Sequence, residues 1–203
     1  FISLLILLET MLPFFLVFEG RKPQARELVV LAVMCALAVA GRVAIPIPSF
    51  KAIFGIIMIA GIAFGPESGF LVGAISALAS NFFYSQGPYT PWQMMAYGAG
   101  GMLAGFVFAR GRLPRKPVIM GIFGFLAVTF FVGPLLDTCS VFLVMSRITL
   151  KGAMAFYISG FPVNLRQAVA TAIVLLVLGK PLLEKLDRIK TKYGILDDGG
   201  KEA

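Results

Sequence analysis

The chain reads as an all-α integral membrane protein, a bundle of helices set in a bilayer. Three observations predict it. Of the 203 residues, 59% are hydrophobic and 14% charged, against roughly 45–50% and 25% in soluble globular chains. Mean hydropathy is +0.91, and long apolar runs alternate with short basic clusters. Too few polar residues remain to cover a soluble exterior. The 18 Lys+Arg minus 10 Asp+Glu leave a net charge of +8. Basic clusters between apolar runs are what topology selection leaves on the cytoplasmic side of a membrane, so no nucleic-acid partner is expected. Histidine is absent, which removes histidine general-base chemistry and imidazole metal ligands. Cys35 and Cys139 sit in apolar stretches and read as small buried hydrophobes, not as a disulfide or a metal site.

The first run, Phe1 to Phe18, lacks a basic leader and a small-residue cleavage site. It reads as an additional N-terminal transmembrane segment over residues 1–20 rather than a signal peptide. Six further segments follow at about Glu27–Ile45, Ile53–Phe64, Glu67–Phe83, Trp92–Ala109, Pro117–Ser146 and Val163–Leu178. They define a membrane domain over 21–192, ahead of a polar tail at 193–203. A span needs about 20 apolar residues, so the second segment is short. The fifth would be about 45 Å long and must tilt, project or bend, with Gly133-Pro134 as the bend point.

Orientation comes from the basic residues. Arg21, Lys22 and Arg26 precede the Glu27 segment, Arg110, Arg112, Arg115 and Lys116 share one loop, and Lys180, Lys185, Arg188, Lys190, Lys192 and Lys201 follow the last span. With six helices after Arg26 all fall on one side, which is then cytoplasmic together with the C-terminus. The outward loops are Pro46–Ala52, Tyr84–Pro91 and Arg147–Pro162.

The most unusual stretch runs from Asn81 to Gln93. Gly87-Pro88 and Thr90-Pro91 punctuate a turn, and Asn81, Ser85, Gln86, Thr90 and Gln93 interleave with Tyr84, Tyr89 and Trp92. One reading is an aromatic belt at the membrane interface. The other is a stiffened hairpin that offers amides and ring faces to a small molecule of mixed polarity. Depth bookkeeping brings more polar groups to this level. Asp137 lies about 30 Å past Pro117, and Arg42 about 22 Å past Glu27. Asn164, Arg166 and Gln167 open the last segment. Ionised groups are costly inside a bilayer and face a cavity, a partner charge or water. Asp137 with Arg166 could therefore be a structural ion pair, or these groups could line an outward cavity together with Arg147.

Ala32, Ala36, Ala40 and Ala44 recur every four residues and form a smooth stripe on one helix face, which permits close approach by another helix. Gly61/Gly65, Gly69/Gly73/Ala77 and Gly101/Gly105 repeat the small-xxx-small spacing, for which packing inside the chain is the default. No Walker A sequence occurs. Asp137 and Glu9 are thin material for a proton relay, and neither a G-x-S-x-G elbow nor an acidic metal set is present. What remains is a binding subunit that takes its energy from elsewhere, with an ion-driven permease or a lipid-acting membrane enzyme as alternatives.

On these residues the chain resembles the substrate-binding S components of energy-coupling factor (ECF) vitamin transporters, from about Arg26 to Lys192. The resemblance rests on Arg26-Glu-Leu-Val-Val-Leu-Ala with the alanine stripe and Gly41-Arg42, on Gly69-Phe-Leu-Val-Gly73, and on Ser80-Asn81 through Gln86-Gly-Pro-Tyr-Thr-Pro-Trp-Gln-Met94. The family often has Trp where Tyr89 stands. The resemblance implies a six-helix S-component bundle, here with one additional N-terminal transmembrane segment, and no enzyme activity. It implies an outward vitamin pocket, for which Arg42, Asn81, Tyr84, Gln86, Tyr89, Thr90, Trp92, Gln93, Asp137, Arg147, Asn164 and Arg166 are the candidates. The loop Pro46–Ala52 would act as a lid, with Tyr84–Pro91 and Arg147–Pro162 as further walls. Ala32, Ala36 and Ala40 would dock on a transmembrane coupling subunit, whose two cytoplasmic ATPases consume ATP. No covalent cofactor or metal is implied. The overall look is similar to the cobalamin-type S components, which makes cobalamin the lead ligand, ahead of riboflavin-like and queuosine-like molecules.

Overall fold

A computed structural model describes residues 2–20, 24–45, 47–109 and 111–194; Phe1, Arg21, Lys22, Pro46, Arg110 and Lys201 lie outside the described residues. All regular structure among the described residues is helical, in the order α1 (Ile2–Gly20), α2 (Ala25–Val43), α3 (Ile53–Phe64), α4 (Pro66–Tyr84), α5 (Thr90–Phe108), α6 (Pro117–Ala127), a π turn (Val128–Val132), α7 (Gly133–Val144), α8 (Leu150–Val177) and α9 (Gly179–Tyr193). Among them, Pro117–Val144 and Leu150–Val177 are long and apolar enough to cross a membrane.

Helix α3 is the axis. Each of its twelve residues is buried, as expected of a helix that is apolar on every side. It packs against α2, α4, α5, α8 and α9. Lipid tails are as apolar as leucine side chains, so burial from lipid gives helices little reason to associate; contact between closely fitted surfaces must supply it. The glycines provide that fit. A Cβ on Gly69 would stand 2.6 Å from the Gly101 carbonyl oxygen and 2.7 Å from the Gly61 Cα, and one on Gly105 would stand 2.6 Å from the Pro66 nitrogen. Here α3, α4 and α5 meet backbone against backbone, so the small-xxx-small repeats on these helices do pack inside the chain.

The rod from Pro117 to Val144 changes its winding at the point where the sequence expects a bend, with a π turn placed directly before Gly133-Pro134. Pro134 has no N–H to donate and its ring crowds the carbonyl four residues earlier. The wider turn absorbs both, and the Gly133 N–H bonds the Val128 carbonyl five residues back.

Two expectations are corrected. The segment 150–162, read as part of the outward loop Arg147–Pro162, is helical: α8 begins at Leu150 and carries Pro162 inside it. Thr149 caps it, its Oγ1 accepting from the Gly152 N–H at 3.2 Å. The basic stretch after the last expected span, for which no helix was drawn, forms α9, with Leu183 and Leu186 buried, while residues 195–203 of the expected polar tail lie outside the described residues. Helix α9 closes over the end of α3, whose last carbonyls take cations. Arg115 Nη2 donates to the Ile62 oxygen at 3.1 Å and Lys190 Nζ to the Ala63 oxygen at 2.7 Å, the favourable sign for a helix C-terminus. Asp187 holds Arg115 at 3.4 Å.

Candidate functional site

At the opposite end of α3, helices α2, α5, α7 and α8 and the segment 49–53 surround a cavity of about 580 Å³. Ring faces and polar groups share its wall: Arg42 from α2, Tyr84 from α4, Tyr89, Gln93 and Tyr97 on or beside α5, Asp137 from α7, and Asn164 and Gln167 from α8. Volumes of 300–1,000 Å³ with a few convergent polar groups are the usual dimensions of small-molecule sites.

Arg42 is the best-organised of these. Its guanidinium donates to Ser80 Oγ and, at 2.8 Å, to Asn81 Oδ1. It lies 4.9 Å from the Tyr84 ring centroid and 5.6 Å from that of Tyr97, within cation–π range of both. Tyr84 in turn donates its hydroxyl to the Arg42 carbonyl at 3.0 Å. Asn81 and Ser80 are fully buried, and α4 presents them beside α2. The remaining Asn81 capacity reaches α5, Nδ2 donating to Gln93 Oε1 at 2.8 Å and to Thr90 Oγ1 at 3.2 Å. A buried amide therefore joins α2, α4 and α5 and sets the directions of Arg42 and Gln93.

The hairpin 85–89 is braced internally. The Thr90 hydroxyl donates to Gln86 Oε1 at 2.9 Å, Gln86 Nε2 donates to the Leu78 oxygen at 3.0 Å, and Tyr89 donates to the Ser85 oxygen at 2.8 Å. Ser85 makes the reversal with φ at +80°. Gly87 lets the Tyr89 ring lie against it, 2.5 Å from where a Cβ would stand, so a larger residue there would have to displace the ring.

On the far wall Asp137 does not pair with Arg166. Its Oδ2 accepts from Asn164 Nδ2 at 2.7 Å, while Arg166 is exposed, two residues on and therefore on another face of α8. Gly160 makes room for the carboxylate, since a Cβ there would come within 2.7 Å of Asp137 Cγ.

Of the twelve candidate residues, Arg42, Tyr84, Tyr89, Gln93, Asp137 and Asn164 line the cavity. Asn81, Gln86 and Thr90 lie behind it and hold its wall. Trp92 stacks on Phe142 at 5.6 Å, clamping α5 to α7 beside the lining residues Leu143 and Val144. Arg147 and Arg166 are exposed outside it. Pro46 lies outside the described residues, and the part of the expected lid that is described contributes Ser49 and Lys51 to the lining. Lys51 Nζ donates to the Ile45 carbonyl and the Ala52 N–H to the Gly41 oxygen at 3.0 Å, which ties this loop to α2. Gln167, which the sequence groups with Asn164 and Arg166 at this level, also lines the cavity, as do Tyr97, Cys139 and Ser140, which were not candidates. Tyr97 is one turn beyond Gln93, so helical spacing from a polar residue already chosen was the available signal.

If this cavity is the binding site, Arg147→Ala and Arg166→Ala should each leave ligand affinity within about twofold, since neither side chain reaches it. Equilibrium titration of the purified variants checks this.

The stripe residues Ala32, Ala36, Ala40 and Ala44 are all exposed along α2. Residues 22–184 match the family of the ECF-type riboflavin transporter, S component. The match is to a riboflavin-type family, not to the cobalamin-type members that the sequence resembles in overall look. No curated protein and no solved structure gives a significant match. The family implies a substrate-specific membrane transport subunit that works with the coupling subunit and ATPases of an ECF module. A polytopic helical chain with an open polar-aromatic cavity at one end of its central helix and a matched span covering most of its length belongs to the S components of ECF-type riboflavin transporters.

Proposed function

We propose that this chain captures riboflavin, or a closely similar flat heterocycle bearing a polyol, and releases it inward when an ECF module drives it. The observation that carries this reading is the composition of the cavity wall. Tyr84, Tyr89 and Tyr97 offer ring faces to a planar ring system, and such pairs favour offset or edge contacts. The amides of Gln93, Asn164 and Gln167 can each donate and accept, which suits the alternating carbonyl and N–H edge of a flavin. Asp137, Ser49 and Ser140 suit the hydroxyls of a ribityl chain. A volume of about 580 Å³ fits a drug-sized ligand and is small for a corrinoid macrocycle, so cobalamin ranks behind riboflavin. The cavity end is taken as the outward face, because the basic residues of α9 and of the α5–α6 loop gather at the other end, where the positive-inside rule places the cytoplasm.

Native mass spectrometry of the purified chain after incubation with an equimolar vitamin mixture tests the substrate. A single retained ligand with the mass of riboflavin is expected; retention of cobalamin or another vitamin would reject the assignment.

The exposed alanine face of α2 is proposed as the docking strip for the coupling subunit. Small side chains let a partner helix approach closely, and an indole would hold it off. Ala36→Trp should therefore abolish co-purification with the coupling subunit while ligand affinity stays within about twofold, since α2 presents Ala36 away from the cavity. A complex retained at wild-type yield would remove the strip from the mechanism.

A further inference from the structure

Helices α2 and α9 both pack on α3, and between them a crevice stays open. Near the start of α2 it widens to about 510 Å³, walled by Ala25, Val29, Val30, Ile189 and Tyr193 with Arg26 at its edge. One helical stretch further along, a second hollow of about 260 Å³ lies between Leu37, Ile56, Leu178 and Leu182, with Lys185 beside it. The walls are almost wholly apolar, with Arg26 and Lys185 as the cations at their edges. Tyr193 is flanked by two of them, Arg26 at 5.8 Å and Lys192 at 5.4 Å from its ring centroid.

We propose that this crevice is a binding site for an anionic phospholipid, separate from the vitamin cavity, with an acyl chain laid along Val29, Val30 and Ile189 and the phosphate held by Arg26 and Lys192. Charge and level both point to a lipid. Helix α9 is amphipathic, with Leu183 and Leu186 turned into the bundle and Lys185, Arg188 and Lys192 outside. Such a helix lies at the headgroup boundary, and a tyrosine between two cations is typical of that depth. Basic pockets between helices at this level take anionic headgroups. An aliphatic slot opening sideways there is filled by the adjoining acyl chains at no cost in buried polar groups, whereas a water-filled slot would leave Val29, which is 63% exposed, facing solvent. Val29 is three residues from Ala32, so the lipid would border the proposed docking strip.

The test uses the full chain in nanodiscs of equal phosphatidylglycerol and phosphatidylcholine, extracted mildly, with the retained lipid quantified by mass spectrometry. Phosphatidylglycerol should be enriched several-fold over phosphatidylcholine. The double variant Arg26→Gln/Lys192→Gln should bring the ratio back to that of the bilayer, and Val29→Trp should lower the total retained lipid. A monodisperse size-exclusion profile identifies variants that still fold, and Val29→Phe replaces the larger residue if Val29→Trp does not. Lipid retained without headgroup preference, or a preference that survives the double variant, overturns the proposal. So does a crevice that retains no lipid and crosslinks instead to the coupling subunit. None of these readouts depends on which vitamin the cavity takes.

Discussion

Gly101→Val is expected to prevent the bundle from assembling, the largest effect of any single substitution considered. A Cβ at Gly101 would stand 2.7 Å from Ile57 Cγ2 and 2.8 Å from the Gly69 carbonyl carbon, with the Gly69 oxygen closer still. Side chains can move aside, but a helix carbonyl can do so only if its helix shifts. Overpacking a well-packed interior typically costs 1–3 kcal/mol, and here the obstruction is backbone from a neighbouring helix, so ~3 kcal/mol or more is expected. Little else drives helices together in lipid, so the loss falls on the association of α3, α4 and α5 itself. The yield of monodisperse protein and its thermal midpoint in detergent report the outcome. Gly20→Val is the control, because nothing lies within 4 Å of a Cβ there, and it should behave as wild type.

The second large effect is expected at a residue that does not line the cavity. Asn81→Ala removes the acceptor that holds Arg42 and the donor that holds Gln93. Hydrogen bonds to charged groups contribute about 1.5–3 kcal/mol, and a buried group left without its partner costs a comparable amount. Arg42 keeps Ser80, so the guanidinium stays in the wall but loses its fixed direction. Ligand affinity should fall about 10- to 100-fold, at roughly 1.4 kcal/mol per tenfold. The thermal midpoint should fall as well, since three helices share this one amide. Asn81→Asp separates the two roles: its carboxylate can still accept from Arg42 but cannot donate to Gln93 or Thr90. Binding intermediate between wild type and Asn81→Ala is expected. Titration calorimetry of the three proteins gives the order.

The parts of the fold that were legible in the sequence are those bounded by backbone chemistry. Helix α3 is found at Ile53–Phe64 as read, because an uninterrupted apolar run stops at Gly65-Pro66, where φ of +97° at Gly65 ends one helix and Pro66 opens the next. The irregularity before Pro134, a π turn, was legible for the same reason. The start of α8 was not. Ser159, Gly160 and Pro162 are loop-forming residues by propensity, yet Gly160 is there to admit the Asp137 carboxylate, a tertiary reason that no local pattern carries.

The site divides along the same line. Residues within the Asn81–Gln93 stretch were visible as a group because they are close in sequence, but adjacency did not separate those that face the cavity from those that brace it. Asn81, buried behind the wall, and Tyr89, on it, look alike as polar residues beside a turn. Counting rise along its helix puts Asp137 at the level of residues that line the same cavity, but it does not give the partner, since Asn164 and Arg166 sit two positions apart and only helix rotation decides between them. Lys51, Cys139 and Ser140 come from elements that meet only after folding.

Transport in reconstituted vesicles decides whether this chain is a passenger or an engine. Proteoliposomes are prepared with the chain alone and with the chain plus a coupling subunit and ATPases, and accumulation of labelled riboflavin is followed with ATP or with an imposed ion gradient. Accumulation is expected only in the complete system with ATP, and it should vanish with Ala36→Trp. Accumulation by the chain alone, collapsed by an ionophore and indifferent to ATP, would instead mean a self-sufficient permease.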